Sequence, residues 1–190
     1  MTGFSLETAE LITKVLELLH EMVPRFESIA LVFGTRTEST ELSQHNAEMA
    51  ANELGLKLSA FHVDSIQEFE TALATATQQR AGALIVAAEP TFMRQRNQIV
   101  ELSARYRLPA IYPWRQFVEA GGLMSYGPDI ADVYRQAGRH AARVLDGAAP
   151  GDLPVQFPTT FELIINRKTA AALNLTISRF LSALANHVIE

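Results

Sequence analysis

The feature that most constrains the fold of this chain is a regular alternation between short apolar runs and helical stretches with one apolar face. The run Ser28–Phe33 is apolar after its first residue, which is typical of a strand covered on both sides in a parallel sheet. Similar runs occupy residues 56–63, 83–87, 108–112 and 123–126. This alternation predicts an α/β fold with a doubly wound, mostly parallel sheet flanked by helices.

The helices between these runs are predicted from capping residues and apolar spacing. Ser5 or Thr8 can cap a first helix that ends at Pro24, and Ser39 is predicted to cap a second helix that Gly55 ends in a left-handed conformation. The predicted apolar face of the first helix comprises Leu11, Val15, Leu18, Leu19 and Met22, and that of the second comprises Leu42, Met49, Ala50 and Leu54. In the later helices, the predicted inward positions are Ile66, Phe69, Leu73, Ala76, Ile99, Leu102, Tyr106, Phe117 and Val118.

The alternation changes after Gly127 and Pro128. Asp129 is predicted to cap a long helix that runs to about Leu145. Residues 147–158, with three Pro and two Gly, predict an extended connection. A strand over 161–165, a short helix over 167–173 and a last helix over 178–188 complete the prediction.

Composition excludes several classes of protein. The chain has 190 residues, 48% of them hydrophobic and 19% charged, with a net charge of −5, so neither a disordered chain nor a nucleic-acid partner is expected. The absence of Cys excludes disulfides and thiolate metal sites. The longest apolar stretches are too short to cross a bilayer. Because the N-terminus enters a helix with no preceding strand, we expect the chain to begin within a longer protein.

The candidate binding residues lie in loops that follow the predicted strands. In open α/β sheets, ligands bind beyond the carboxyl ends of the strands, where loops and helix N-termini converge. Aromatic faces with an Arg, an Asp and a Glu suit a small zwitterionic or aromatic solute. The alternative interpretation is that the aromatic rings cover the end of the sheet and that Arg36 and Arg115 are solvated. The candidate solute-binding residues are Thr35, Glu89, Thr91, Phe92, Tyr112, Trp114, Arg115, Tyr126 and Asp129.

Patterns that indicate catalysis or a cofactor are missing from the sequence. It contains no G-x-S-x-G, G-x-G-x-x-G, Walker A or H-E-x-x-H motif. His45 and Glu48 have metal-like spacing, but no third ligand is evident, and we interpret them as solvated surface. The other four His residues are expected at the core edge or the surface. We therefore predict no catalytic residue, no metal and no cofactor.

Two segments carry a resemblance to a known family. They are EAGGLMSYGPD (residues 119–129) and LPVQFPTTFELIIN (residues 153–166), the second followed by KTA and LNLTI (168–170 and 173–177). RLPAIY (107–112) and TGFS (2–5) fit the same pattern. The chain resembles the substrate-binding proteins of ABC transporters, in the branch that includes binders of tryptophan and related solutes, and the resemblance covers essentially the whole chain.

This resemblance implies a type I periplasmic binding protein fold, in which two α/β lobes close on a solute. Residues 25–125 would form the second lobe. Residues 1–24 would be a crossover segment and helix, and 126–190 would contain a crossover, a helix of the first lobe, the linker and the C-terminal elements. The implied partners are a small-molecule solute and an ABC permease. The implied location is periplasmic or extracytoplasmic; without a signal peptide, the chain as given is expected to be cytoplasmic.

The resemblance also assigns the loops of Thr35, Glu89, Thr91, Tyr126 and Asp129 to the ligand, together with those of Tyr112 and Trp114. Many members of the family have Asp rather than Glu at the position of Glu89. A ligand-sensing domain of a regulator or receptor and a small α/β enzyme remain as alternative functions. Because the helix over 129–145 would lose its neighbouring lobe in this chain, its apolar stripe is expected to mediate self-association.

Overall fold

The first helix buries three residues of its predicted stripe, Leu18, Leu19 and Met22, together with Leu16, which was not predicted; Leu11 and Val15 are only partly buried. The computed structural model describes residues 2–3, 11–23 and 26–190. This helix, α1, spans Leu11–Met22. The predicted caps Ser5 and Thr8 and the predicted stop Pro24 lie outside the described residues.

The sheet of the described part of the chain has seven strands in the order β2-β1-β3-β4-β5-β6-β7. All neighbouring strands are parallel except β5 and β6, which are antiparallel. This topology confirms the doubly wound, mostly parallel prediction. The strands are β1 (Ser28–Phe33), β2 (Lys57–His62), β3 (Ala83–Val86), β4 (Ala110–Tyr112), β5 (Met124–Pro128), β6 (Phe161–Asn166) and β7 (His187–Ile189).

Helices cover both faces of the sheet and form two hydrophobic layers. Alternate residues of β1 pack into opposite layers. Ile29 and Leu31 belong to the α1–α2 layer, and Ala30 and Val32 belong to the α3–α5 layer. No helix in the described ranges is long and apolar enough to cross a membrane. The remaining helices are α2 (Glu38–Glu53), α3 (Ile66–Gln78), α4 (Pro90–Arg94), α5 (Arg96–Arg105), α6 (Arg115–Glu119), α7 (Ile130–Leu145), α8 (Arg167–Ala172) and α9 (Arg179–Leu184).

Helix α2 differs from its prediction. Thr37 caps it rather than Ser39, because Thr37 and Thr40 exchange side-chain and backbone hydrogen bonds in a capping box. Its buried face consists of Ala47, Ala50 and Ala51. Of the predicted stripe only Ala50 is buried; the larger side chains Leu42, Met49 and Leu54 are exposed. Small alanine side chains let α2 lie close to the sheet, and the larger residues face away.

The predicted last helix is also wrong in its second half. Helix α9 ends at Leu184, and strand β7 follows and joins the sheet beside β6. Asn186 lies between the end of α9 and the start of β7 and binds the chain to β6. Its backbone N–H donates to the Leu163 carbonyl, and its Oδ1 accepts a hydrogen bond from the Leu163 N–H at 2.8 Å. These two bonds extend the ladder of β6 before β7 begins.

Residues 129–160 form an arm that leaves the sheet between β5 and β6. It consists of α7 and the returning segment, which contains a 3-10 turn at Pro150–Asp152. The Asp129 N–H donates to the Thr160 carbonyl at 3.1 Å, so the arm begins and ends at one point. On α7 only Val133 is buried, whereas Tyr134 and Leu145 are 75% and 87% exposed.

Candidate functional site

The predicted loops meet at one edge of the sheet. The strand order reverses between β1 and β3, and ligands of doubly wound folds bind at the carboxyl ends of the strands at such a switch point. Thr35 follows β1 and Glu89 follows β3, while Arg115 and Asp129 follow β4 and β5. Because β6 is antiparallel to β5, its first residues, including Glu162, also lie at this edge.

The Glu89 cluster lies at the switch point and comprises Gly34, Thr35, His62, Asp64 and Glu89. Glu89 occupies the N-cap position of α4 without capping it, and its carboxylate accepts a hydrogen bond from the Gly34 N–H. A Cβ on Gly34 would lie 2.8 Å from the Glu89 Cδ, so only glycine leaves room for this contact. Partial burial raises the pKa of Glu89, and the Gly34 bond and nearby His62 reduce that rise.

His62 was not predicted as a site residue, and a relay of side chains fixes its orientation. Its ring stacks on Phe33 with centroids 5.2 Å apart, and its Nε2 lies 2.9 Å from the Gln44 Oε1. The Gln44 amide donates to Glu48, so its oxygen is the acceptor and the His62 Nε2 carries the proton. The Nδ1 of His62 is buried without a hydrogen-bond partner in the described part of the chain.

The remaining polar residues near the switch point are exposed to solvent. The Thr35 hydroxyl donates to Asp64 Oδ1 at 2.7 Å. Arg36 pairs with Glu41 at 3.2 Å, and both side chains are more than half exposed, which agrees with the solvated interpretation of Arg36. Thr91 is exposed in the first turn of α4.

The Arg115 cluster lies at the ends of β4, β5 and β6 and comprises Arg115, Glu119, Asp129 and Glu162. The Arg115 Nε donates to Glu119 Oε1 at 2.7 Å, and its Nη1 lies 3.8 Å from Glu162 Oε2. The Glu162 side chain is only 17% exposed. Burial raises the pKa of Glu162; Arg115 lowers it and neighbouring Asp129 raises it further. Glu162 was not predicted as a site residue, because its position in this cluster depends on the antiparallel pairing of β6 with β5.

Asp129 caps α7 as predicted, with one of its two carboxylate oxygens. Oδ1 accepts from the Ala131 and Asp132 N–H groups at 2.9 and 3.2 Å. Oδ2 has no hydrogen-bond donor among the described residues. Capping and solute binding are therefore compatible, because each can use a different oxygen.

The predicted aromatic residues divide into a buried set and one residue, Tyr126, at the edge. Phe92 packs edge-to-face on Phe69, while Tyr112 and Trp114 stack on Phe117, and all of these rings belong to the core. The Tyr112 hydroxyl bonds to the Ser103 side chain, and burial raises its pKa far above the usual range. Solute contact by Phe92, Tyr112 and Trp114 stays a prediction.

Tyr126 is the predicted aromatic residue that lies at the same edge as the Arg115 cluster without entering the α3–α5 layer. It is half-buried, and its ring stacks on Phe161 with centroids 6.2 Å apart. Phe161 was not predicted as a site residue; it is the register neighbour of Glu162 at the start of β6. The edge therefore carries an aromatic pair on one face of β5 and β6 and a group of charges on the other.

A cavity of about 130 Å³ opens at the opposite edge of the sheet, among Val100, Arg107, Gly122 and Thr169. These residues precede β4 and β5 or follow β6, so the cavity lies at the amino ends of the parallel strands. Its lining is largely apolar and shares Tyr112 with the core. The carboxyl edge, by contrast, is an open wall that carries the charged groups.

Two solved structures have closely similar backbones. An ABC domain in complex with L-Trp from Streptococcus pneumoniae is 26% identical, with a TM-score of 0.87 over 99% of this chain and 64% of that chain. A conserved domain protein from Vibrio cholerae O1 biovar El Tor is 22% identical, with a TM-score of 0.89 over 98% of this chain and 62% of that chain, and this likeness shows the fold.

A curated relative and a family profile match the sequence. The tyrosine-binding protein of Clostridioides difficile (strain R20291) is 23% identical over 164 residues, which are 86% of this chain and 47% of that protein. The chain thus spans about half the length of this relative and less than two thirds of the solved chains. The profile of ABC transporter substrate binding proteins matches residues 1–189. With its doubly wound sheet and its charged carboxyl edge, the chain belongs to the ABC transporter substrate binding protein family.

Proposed function

We propose that this chain forms one wall of a binding site for a small amino-acid-like or aromatic solute, as the solute-binding component of an ABC importer. The observation that carries the proposal is the grouping of Arg115, Asp129 and Glu162 at the carboxyl edge, where the Tyr126–Phe161 pair lies on the other face of the same two strands. Positive and negative groups side by side match the two charges of a zwitterion, and an aromatic pair at the same edge suits an aromatic one. The named ligands of two relatives, tyrosine and L-Trp, support the same class.

A second wall is needed for tight binding. Ligand sites bury most of a ligand's surface, whereas the edge described here is open on one side. In this proposal residues 25–125 supply the main lobe, and the remaining length of the relatives corresponds to the opposing lobe. The partner would be an ABC permease and the location extracytoplasmic, both in keeping with the family.

Titration of the 190-residue chain with tryptophan, tyrosine, phenylalanine and leucine tests the proposal. We expect dissociation constants no better than about 1 mM, equivalent to roughly 4 kcal/mol, because a single wall leaves much of the solute in water. Two-dimensional NMR should show shifts at the ends of β1, β3, β4 and β5, and ribose is the control solute. Absence of shifts with every amino acid, or equal shifts with ribose, would contradict the proposal. Micromolar binding by the monomer would contradict the expectation that a single wall binds the solute only weakly.

A further inference from the structure

We propose that Arg115, Asp129 and Glu162 together form the subsite for the head group of an α-amino acid, with Glu162 as a direct solute contact. This inference rests on the proposed function and names its chemistry more closely. An α-amino acid carries its ammonium and carboxylate on a single carbon atom. A protein that binds both must therefore hold a cation and a carboxylate side by side.

The Arg115 cluster meets this requirement. The Arg115 Nη1 and Glu162 Oε2 are 3.8 Å apart, and Asp129 is close enough to raise the pKa of Glu162. Within residues 26–190, the Glu89 cluster at the other end of the edge holds carboxylates and His62 but no guanidinium. The head group is thus assigned to the β4–β6 end and not to the switch point.

The groups of this cluster retain unused hydrogen-bonding capacity. The Arg115 Nε donates to Glu119 and its Nη1 lies near Glu162. The remaining guanidinium nitrogen, Nη2, has no polar partner among the described residues. The 3.8 Å separation from Glu162 is longer than a hydrogen bond, so a solute carboxylate can reach the Nη atoms. Asp129 Oδ2 and both oxygens of Glu162 can then accept from the solute ammonium, whose charged donors favour carboxylates.

Buried polar groups without a partner lie on the same face of these elements. Ser125 is 1% exposed, and its Oγ has no hydrogen-bond partner in the described part of the chain; the same holds for the Oε1 of Gln116, the residue that follows Arg115. Leu163 and Met124 pack in the α1–α2 layer, so by alternation Glu162 and Ser125 face α6. Ser125 pairs in register with Ile164, two residues along β6 from Glu162, so an unsatisfied buried hydroxyl lies on the face that carries the cluster.

The charge balance of the cluster predicts its selectivity. Three carboxylates, those of Glu119, Asp129 and Glu162, surround the single guanidinium of Arg115. A solute without an ammonium would bring a further negative charge to this group. We therefore expect tryptophan to bind best, tryptamine to bind more weakly, and indole-3-propionate to bind least.

The experiment compares these three solutes by NMR titration of the full chain, up to about 20 mM of each. Glu162→Gln should weaken tryptophan binding at least about tenfold, which corresponds to about 1.4 kcal/mol. Asp129→Asn keeps the Oδ1 cap and should weaken binding to a similar extent with an unchanged melting temperature. Glu53→Gln is the control, because it makes the same change of charge on the exposed surface of α2, outside the Arg115 cluster; we expect less than a twofold change.

The Arg115 Nε–H resonance of the unmodified chain gives a readout that does not depend on any variant. It should shift with tryptophan and indole-3-propionate but not with tryptamine, which has no carboxylate. Unchanged tryptophan binding by Glu162→Gln, or equal affinity for tryptophan and indole-3-propionate, would overturn the head-group subsite while leaving solute binding intact. If no aromatic amino acid binds the parent chain, the proposed function itself is wrong and this inference falls with it.

Discussion

At the scale of single residues, Glu89 has a position that costs stability. It stands where a capping residue would serve α4, yet its carboxylate turns across the edge to the Gly34 N–H. Partial burial disfavours its charged form and raises its pKa above the ordinary 4.5. The folded protein therefore holds this proton more tightly than the unfolded chain does.

The stability of the chain should consequently depend on pH through Glu89. Above about pH 4.5 the unfolded chain has released this proton while the folded protein retains it, so the free energy of unfolding falls as pH rises towards the raised pKa. Glu89→Gln removes that fall, because glutamine resembles the neutral carboxyl. The melting temperature of the variant relative to the parent should therefore increase between pH 4 and pH 7. Calorimetry over this range is the measurement, with Glu53→Gln on exposed α2 surface as control. A constant difference would contradict the prediction.

The residues of the candidate site differ in how far the sequence predicts them. Asp129 and Arg115 follow apolar runs directly, so the carboxyl-edge rule locates them without tertiary information. Glu162 is brought to the edge by an antiparallel return, and His62 is fixed by a relay through Gln44. Neither arrangement produces a pattern in the neighbouring sequence, so neither residue could be predicted as a site residue. The backbone of Tyr112 lies at the carboxyl end of β4, as the rule requires, but its ring packs in the core.

At the scale of elements, two glycines differ in whether their position has room for a side chain. A Cβ on Gly127 in β5 would lie 2.0 Å from the Pro113 carbonyl oxygen, which is a backbone atom that cannot move aside easily. A Cβ on Gly138 in the middle of α7 would meet nothing within 4 Å. Close packing of β4 on β5 therefore depends on Gly127, whereas Gly138 only weakens its helix.

Alanine substitution at these two positions should change stability in opposite directions. Gly127→Ala should lower the free energy of unfolding by about 2 kcal/mol or more, because the end of β4 must shift. Gly138→Ala should raise the stability of α7 by about 1 kcal/mol, since glycine is a poor helix former. Denaturant titration followed by circular dichroism measures both. Equal effects of the two substitutions would show that the β4–β5 approach is not tight.

Elements with a buried, periodic pattern are those that the sequence predicts well. Strand β1 and helix α3 agree with expectation because most of their apolar residues face the core. Helix α2 was assigned the wrong face because its contact with the sheet uses alanines, which weigh little in any hydrophobic pattern. Strand β7 was assigned to a helix because its three residues are fixed by the Asn186–Leu163 bonds rather than by local preference.

At the scale of the whole molecule, the apolar stripe of α7 is largely uncovered by the residues that the structure describes. The stripe consists of Ile130, Val133, Tyr134, Ala137, Ala141, Val144 and Leu145. Tyr134 and Leu145 are 75% and 87% exposed, and exposed stripes of this kind mark association surfaces. We propose that the chain self-associates through this helix. The expected mass in solution is about twice 20.9 kDa.

Light scattering on a sizing column tests the association. Tyr134→Glu with Leu145→Glu should return the chain to a monomer with its fold intact, because both side chains are largely in solvent. Val133 is unsuitable for this test, since it is buried and a charge there would damage the fold. Arg139→Glu, exposed on another side of α7, is the control and should leave the dimer in place. A monomeric parent chain would refute the proposal.

The point at which the arm joins the sheet has a consequence for modularity. Pro128 and Phe161 are register partners on adjacent antiparallel strands, and the Asp129–Thr160 bond closes the ladder behind them. In topological terms, residues 129–160 are therefore an enlarged hairpin loop. For the strand register, the sheet needs from this segment only that its two ends meet, which a tight turn of two residues also achieves. Ile130 at the start of the arm also packs on the α3–α5 layer, so a different segment could be grafted beyond this first turn of α7 without disturbing the strand register.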